Sequence, residues 1–138
     1  MVYVDHYQGE RKQERTTPID FFASLHTRFR FTMDGAASEE NALLPRYSSI
    51  AKPLCWRKER VFCNPPWSSI AEFIEVAVDF EAEPEFACFL VPARVNAKWF
   101  HRALEMGANP EYFCGKLKFD GLQWNSPVDC LLLKFGKL

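Results

Sequence analysis

Asn64, Pro65, Pro66 and Trp67 stand together between the apolar run Val61-Phe62-Cys63 and the residues Ser68-Ser69 that open a helical pattern. Each could do a separate chemical task. The side-chain oxygen of Asn64 can accept a hydrogen bond without carrying charge, which leaves a bound amine unprotonated and nucleophilic. Pro65 has no N–H and presents only a carbonyl, while the Pro-Pro step holds Asn64 and Pro65 extended. Two acceptors on one amino group draw it toward pyramidal geometry and aim its lone pair at an electrophilic methyl. Trp67 offers a flat face to a base lifted out of its helix, a contact worth roughly 1–3 kcal/mol. A proline pair is also an ordinary way to stop a strand, so the context carries weight. Here an apolar strand precedes it, and a capping box, Ser69-x-x-Glu72, leads into an amphipathic helix.

The elements that must position this tetrad are legible around it. Thr17-Pro18-Ile19-Asp20 predicts a helix start with a hydroxyl cap and proline at the first helical position, running to His26 or Arg28. Phe29 to Met33 alternates as a strand and stops at Asp34-Gly35, and Ser38 to Leu44 reads as a short helix closed by Pro45. Residues 46–59 read as loop. Arg60 to Cys63 predicts a strand, and Ile70, Phe73, Ile74, Ala77 and Val78 repeat at helical spacing. The run Glu85 to Pro92 predicts a buried parallel strand. Asn96 can cap a helix carrying Trp99, Phe100, Ala103 and Leu104, ended by Gly107. Tyr112 to Phe119 and Asp129 to Phe135 read as two strands joined by turn-rich residues 120–127. This order predicts an α/β fold, a compact, reduced Rossmann-like sheet, mostly parallel with a C-terminal antiparallel hairpin. In such sheets ligands gather at strand carboxyl ends. Asp34 and Asn64 both occupy such ends and are expected to share a crevice.

With 138 residues, 48% of them hydrophobic and 13 Phe, the chain reads as one folded domain preceded by a polar lead-in over residues 1–15. The net charge of −1 gives no general attraction for nucleic acid, so any such binding needs Lys and Arg on one face. Five Cys without a C-x-x-C pair, with three His, argue against a zinc site or a disulfide framework, and no metal is expected. Cys63, Cys88, Cys114 and Cys130 lie in strand-like apolar surroundings and read as reduced core thiols of a cytoplasmic protein. No signal peptide or membrane-length apolar run is seen. A monomer is the default.

Several segments together resemble the phage-type adenine-specific DNA methyltransferases that use S-adenosylmethionine. They are Thr17-Pro18 with Phe21-Phe22, residues 28–37 from Arg28 to Ala37, Asn41-Ala42, Val61 to Trp67, Leu90 to Arg94 with Trp99-Phe100, and Gly115 to Phe119 before Ser126-Pro127. The resemblance covers most of the chain from residue 17. It implies methylation of the adenine amino group in DNA by base flipping and direct transfer, in a phage- or prophage-encoded enzyme acting in a bacterial host. Asn64 and the Pro65 carbonyl would hold the amine, with Pro66 and Trp67 completing the catalytic tetrad. Thr17, Pro18, Asp34, Gly35, Ala36 and Asn64 would contact S-adenosylmethionine, and Trp67, Arg94, Lys98 and Lys116 would contact DNA.

Each residue has a plainer reading beside this one. Thr17 is explained as a helix cap, Asp34 as a turn residue, Arg94, Lys98 and Arg102 as a solvated helix surface, and Trp99 and Phe100 as core. The glycine-rich cofactor loop of most methyltransferases is replaced by Asp34-Gly35-Ala36-Ala37. The interval from Asp34 to Asn64 is short, with Glu39 or Glu40 as candidates for the ribose. Two rival functions fit the same residues: an inactive methyltransferase-like module that binds nucleic acid, or an amino-methyltransferase acting on RNA or a protein amide.

Overall fold

In the computed structural model, residues 16–119 and 128–136 are described. They build three layers around a five-stranded sheet. The strands are β1 (Met33–Asp34), β2 (Arg60–Cys63), β3 (Phe86–Pro92), β4 (Asn109–Glu111) and β5 (Cys130–Gly136), in spatial order β1-β2-β3-β5-β4. The helices are α1 (Ile19–Phe29), α2 (Ile70–Val78) and α3 (Lys98–Glu105). The polar lead-in and the predicted 120–127 turn lie outside the described residues.

Strand alternation divides the core into two. Phe62, Phe86, Cys88, Leu90 and Leu132 face Phe22, Leu25 and Phe29 of α1, whose 3- and 4-residue spacing makes one helical stripe. Val61, Cys63, Ala87, Phe89, Val91, Leu131 and Leu133 face the other way, against α2 and α3. Burial of each large apolar side chain contributes roughly 1.5–3 kcal/mol. All seven residues of β3 are buried, as its unbroken apolar run requires.

The sheet is mixed rather than mostly parallel. β1 pairs parallel with β2, and β2 with β3, but β3–β5 and β5–β4 are antiparallel. The chain leaves β3, crosses through α3, and lays down β4 one strand-width away, and β5 then enters the gap running against both neighbours. The expected antiparallel C-terminal pair exists, but its first strand is Asn109–Glu111 instead of Tyr112 to Phe119, and β3 is parallel on one side only.

Local corrections have physical causes. α1 continues through Phe29, which is buried on its inner face, and Arg30 ends it in the left-handed region (φ 53°), donating its N–H to the His26 carbonyl at 2.8 Å. The apparent strand Phe29 to Met33 was alternation across this helix end, so β1 keeps only two residues. Ser38 to Leu44 makes a turn, not a helix, because the Leu43 N–H donates to Asp34 Oδ2 at 3.1 Å. Within 46–59, Pro53–Trp56 forms a short 3-10 helix that buries Trp56 completely. The 112–119 segment is irregular, and the strand before it is Asn109–Glu111, at whose sheet edge Pro110 is tolerated. Neither predicted side-chain cap forms: Ser69 caps α2 without a side-chain bond, and Ala97 rather than Asn96 precedes α3. Gly107 does end α3, at φ 97°.

Candidate active site at the carboxyl edge of the sheet

The tetrad follows the last residue of β2, where Val61, Phe62 and Cys63 are wholly buried and fix the strand exit. Register places Asp34 of β1 beside Phe62, and the Gly35 N–H donates to the Phe62 carbonyl at 2.7 Å. The Asp34 and Asn64 segments therefore leave adjacent strands at the same edge, as expected. Asn64 is held from the opposite layer. Its Nδ2 donates to Thr17 Oγ1 at 3.0 Å, and Thr17 is only 2% exposed.

Thr17 is thus not the cap of α1. The capping position falls on Pro18, whose carbonyl accepts the Phe22 N–H at 3.0 Å, and no side-chain cap bond is made. Pro65 is buried and Pro66 half-buried, and the Pro66 carbonyl accepts the Ser69 N–H at 2.9 Å, turning the chain into α2. Trp67 is half-buried against both cores. Phe119 meets it edge-on at 6.4 Å, and the Arg94 guanidinium lies 6.0 Å from its ring centroid.

Asp34 is 3% exposed and does more than turn the chain. Its carboxylate accepts the N–H of Ala36 at 3.3 Å and of Leu43 at 3.1 Å, so it organises the loop that follows β1. Burial raises its pKa, against the opposing effect of the two backbone N–H groups. The backbone of the loop is equally committed: Ala37 N–H goes to the Ser48 carbonyl, Ser48 N–H to the Asp34 carbonyl, and residues 46–48 cover the open edge of β1. Gly35 exists for close approach, since a Cβ there would meet Trp56 Cζ2 and Val61 Cγ1 at 2.7 Å each.

The basic residues gather at this edge to different degrees. Arg94 and Lys98 are exposed at the β3 exit and the start of α3. Lys116 is brought to the same end because Asp129, paired with it at 3.5 Å, gives its carbonyl to the Ala93 N–H. Arg102 does not join them. Its guanidinium is clasped by Glu75 at 2.8 and 3.0 Å, tying α3 to α2. Phe100 is core and Trp99 packs against it. Cys63 and Cys88 are buried, and burial pushes the Cys63 thiol well up and the Cys88 thiol to about 12. Cys114, in contrast, is exposed, because the segment around it is not a strand.

Trp56 and Ser38 carry no signal in the sequence as parts of this region. Trp56 sits in a stretch without periodicity that also carries Tyr47, Ile50 and Leu54, so no local pattern marks it as the buried one. Ser38 matters because its Oγ is buried without a hydrogen-bond partner, as is Trp56 Nε1. A buried hydroxyl in the loop begun by Asp34 is what a ligand's polar group would satisfy. The loop therefore offers a polar ligand group the Ser38 hydroxyl, whereas Gly35 serves the close packing of Trp56 and Val61. Among the described residues no group of three or more His, Cys, Asp or Glu could hold a metal, and no helix is long and apolar enough to cross a membrane.

The sheet thus sets an amide, a proline pair and an indole beside the loop that Asp34 organises on the neighbouring strand. The family model for DNA N-6-adenine-methyltransferase (Dam) matches residues 5–129, so the chain belongs to that family. A DNA N-6-adenine-methyltransferase of Escherichia phage T1 is 29% identical over 98 residues, covering 67% of this chain and 41% of the phage protein. The chain thus spans about two-fifths of the length of that curated relative.

Proposed function

We propose that this chain methylates the exocyclic amino group of adenine in DNA, with S-adenosylmethionine as donor. The sheet is then a reduced Rossmann-like methyltransferase sheet, a reading supported by its three adjacent parallel strands, at whose carboxyl ends the Asp34 and Asn64 segments leave side by side. The observation that carries the proposal is the placement of Asn64 at that edge, buttressed through Thr17 and adjacent to the Asp34 loop.

Asn64 Oδ1 and the Pro65 carbonyl accept the two amine hydrogens of a flipped adenine. They hold it neutral and turn its lone pair out of the ring plane. Trp67 supports the base from one face. Asp34 shapes the loop from which Ala36 and Ser38 would hold the donor, with Thr17 and Pro18 reaching the site from beside Asn64. When bound, the donor would supply an electrophilic sulfonium methyl to the amine that Asn64 and the Pro65 carbonyl hold, the C–S bonding pair staying with sulfur. The chain needs no covalent nucleophile for this. Positioning and exclusion of water are its contributions, and the proton released from the methylated nitrogen leaves to solvent. Arg94, Lys98 and Lys116 supply the phosphate contacts that the net charge of the chain cannot.

Membership of a DNA methyltransferase family favours DNA over RNA or a protein amide as acceptor, and a phage relative favours a phage or prophage source in a bacterial cytoplasm. Titration calorimetry with S-adenosylmethionine tests the proposal against the inactive-module alternative. Saturable heat is expected, with stabilisation of about 2.7 kcal/mol at a hundredfold excess over the dissociation constant. Absence of both heat and thermal shift at millimolar donor would contradict it.

A further inference from the structure

Resting on the proposed transfer to a flipped adenine, we infer that Val95 is the side chain that enters the duplex where that base has left. β2 ends at Cys63, opposite Phe89, whereas β3 runs on through Leu90 and Val91 to Pro92. At about 3.3 Å per residue, β3 therefore reaches about 10 Å further along the same edge than the strand that Asn64 leaves. The turn that follows is closed by the Ala97 N–H on the Arg94 carbonyl at 3.0 Å, and Val95 and Asn96 are its central residues. It stands beside the tetrad, since the Arg94 guanidinium comes to 6.0 Å from the centroid of the Trp67 ring.

Turns favour Gly, Pro, Asn, Asp and Ser, for backbone reasons that a β-branched apolar residue does not share. Val95 nevertheless occupies this one, 52% exposed and flanked in sequence by the exposed cations Arg94 and Lys98. Single exposed apolar residues are common on surfaces, and it is the place of Val95 that gives it a task. Phosphate contacts by Arg94 and Lys98 bring a duplex down onto the turn, with an apolar tip between them. Swinging an adenine to Asn64 unstacks it and leaves a gap in the duplex, and an apolar wedge that fills the gap offsets that cost. Val95 thus acts on the flipping equilibrium and touches neither the donor nor the amine, which makes it a positioning residue.

The test uses the full chain with Val95→Ser, which removes the apolar tip, and Val95→Leu, which keeps it. Neither substitution reaches the core, so thermal midpoints should match wild type. The probe is a duplex that the wild type methylates, with 2-aminopurine in place of the methylated adenine, whose fluorescence rises when the base leaves the stack. Val95→Ser should bind it about 10-fold more weakly, the low end for burying a valine side chain. Its fluorescence at saturating protein should fall below that of wild type, while Val95→Leu keeps both affinity and fluorescence within about twofold. The dependence of log K on log salt should be unchanged in both, because no phosphate contact is lost. Wild-type affinity in Val95→Ser, undiminished fluorescence at saturation, or a flatter salt slope overturns the inference. A wild type that transfers no methyl to DNA refutes the proposed function on which the inference rests, whereas a methylating wild type beside an unaltered Val95→Ser overturns the inference alone.

Discussion

The guanidinium of Arg94 sits 6.0 Å from the ring centroid of Trp67, so a residue leaving β3 lies over the aromatic that ends the β2 tetrad. A cation near an indole face and an adenine stacked on that indole use the same surface. If Trp67 supports a flipped base, Trp67→Ala should weaken DNA binding by about 1–3 kcal/mol, roughly 5- to 150-fold. S-adenosylmethionine affinity should change by less than about twofold. Fluorescence anisotropy with DNA, beside calorimetry with the donor, separates these. Equal losses would assign Trp67 to packing against Phe119 instead.

Arg94, Lys98 and Lys116 differ in their surroundings, and the difference is measurable. Arg94→Ala and Lys98→Ala should each flatten the dependence of log K for DNA on log salt by about 0.9, the value for one phosphate contact. Lys116→Ala should change it less, since its ammonium is already paired with Asp129. Arg102→Ala, which breaks the Glu75 clasp, should leave the slope unchanged and slightly lower stability.

The Asp34 loop rests on a missing side chain. Gly35→Ala would place a methyl 2.7 Å from Trp56 and Val61, both wholly buried, so relief requires movement of core atoms. A loss of about 1–3 kcal/mol is expected, read as a lower urea midpoint with an unchanged slope.

How far the sequence revealed this molecule depends on the physical range of each signal. β2, β3, α2 and β5 were legible because each keeps one local pattern over its whole length, an apolar run in β3 and helical spacing in α2, and the tetrad because its chemistry is carried by four consecutive residues. β1 and the Ser38 to Leu44 turn were not, since Phe29 continues a helix and Leu43 is drawn away by a carboxylate nine residues earlier. The place of β5 between β3 and β4 is a choice of long-range pairing that no local pattern encodes. Thr17 was legible as a hydroxyl before a helix, yet its partner is 47 residues away, and local capping rules favoured the wrong contact.

A structural ion cluster at the far end of α1 gives a pH signature. Glu111 accepts both guanidinium nitrogens of Arg28, at 2.7 and 2.8 Å, and the buried Lys134 ammonium at 2.8 Å. The Arg28 hydrogen bonds first, and Lys134 with them, hold its carboxyl down to about 2 against the opposing effect of burial. The folded state therefore favours ionised Glu111. Its stabilisation is complete above the unfolded value of about 4.3 and is lost as pH falls from there toward about 2. Glu111→Gln should remove that acid-side slope and, by leaving Lys134 without its counter-charge, cost about 2 kcal/mol at neutral pH. Urea titrations of both proteins between pH 3 and 7 check this.

The claim that Asn64 holds the amine of a DNA adenine is tested most directly by incubating the chain with methyl-tritiated S-adenosylmethionine and separate DNA, RNA and protein acceptors, and repeating the assay with Asn64→Ala. The account predicts label in DNA adenine for the wild type and a loss of at least about 100-fold in the variant, the scale seen when one positioned electrostatic group is removed. Label that appears in DNA adenine at the same rate with Asn64→Ala, or only in RNA or protein, would contradict it.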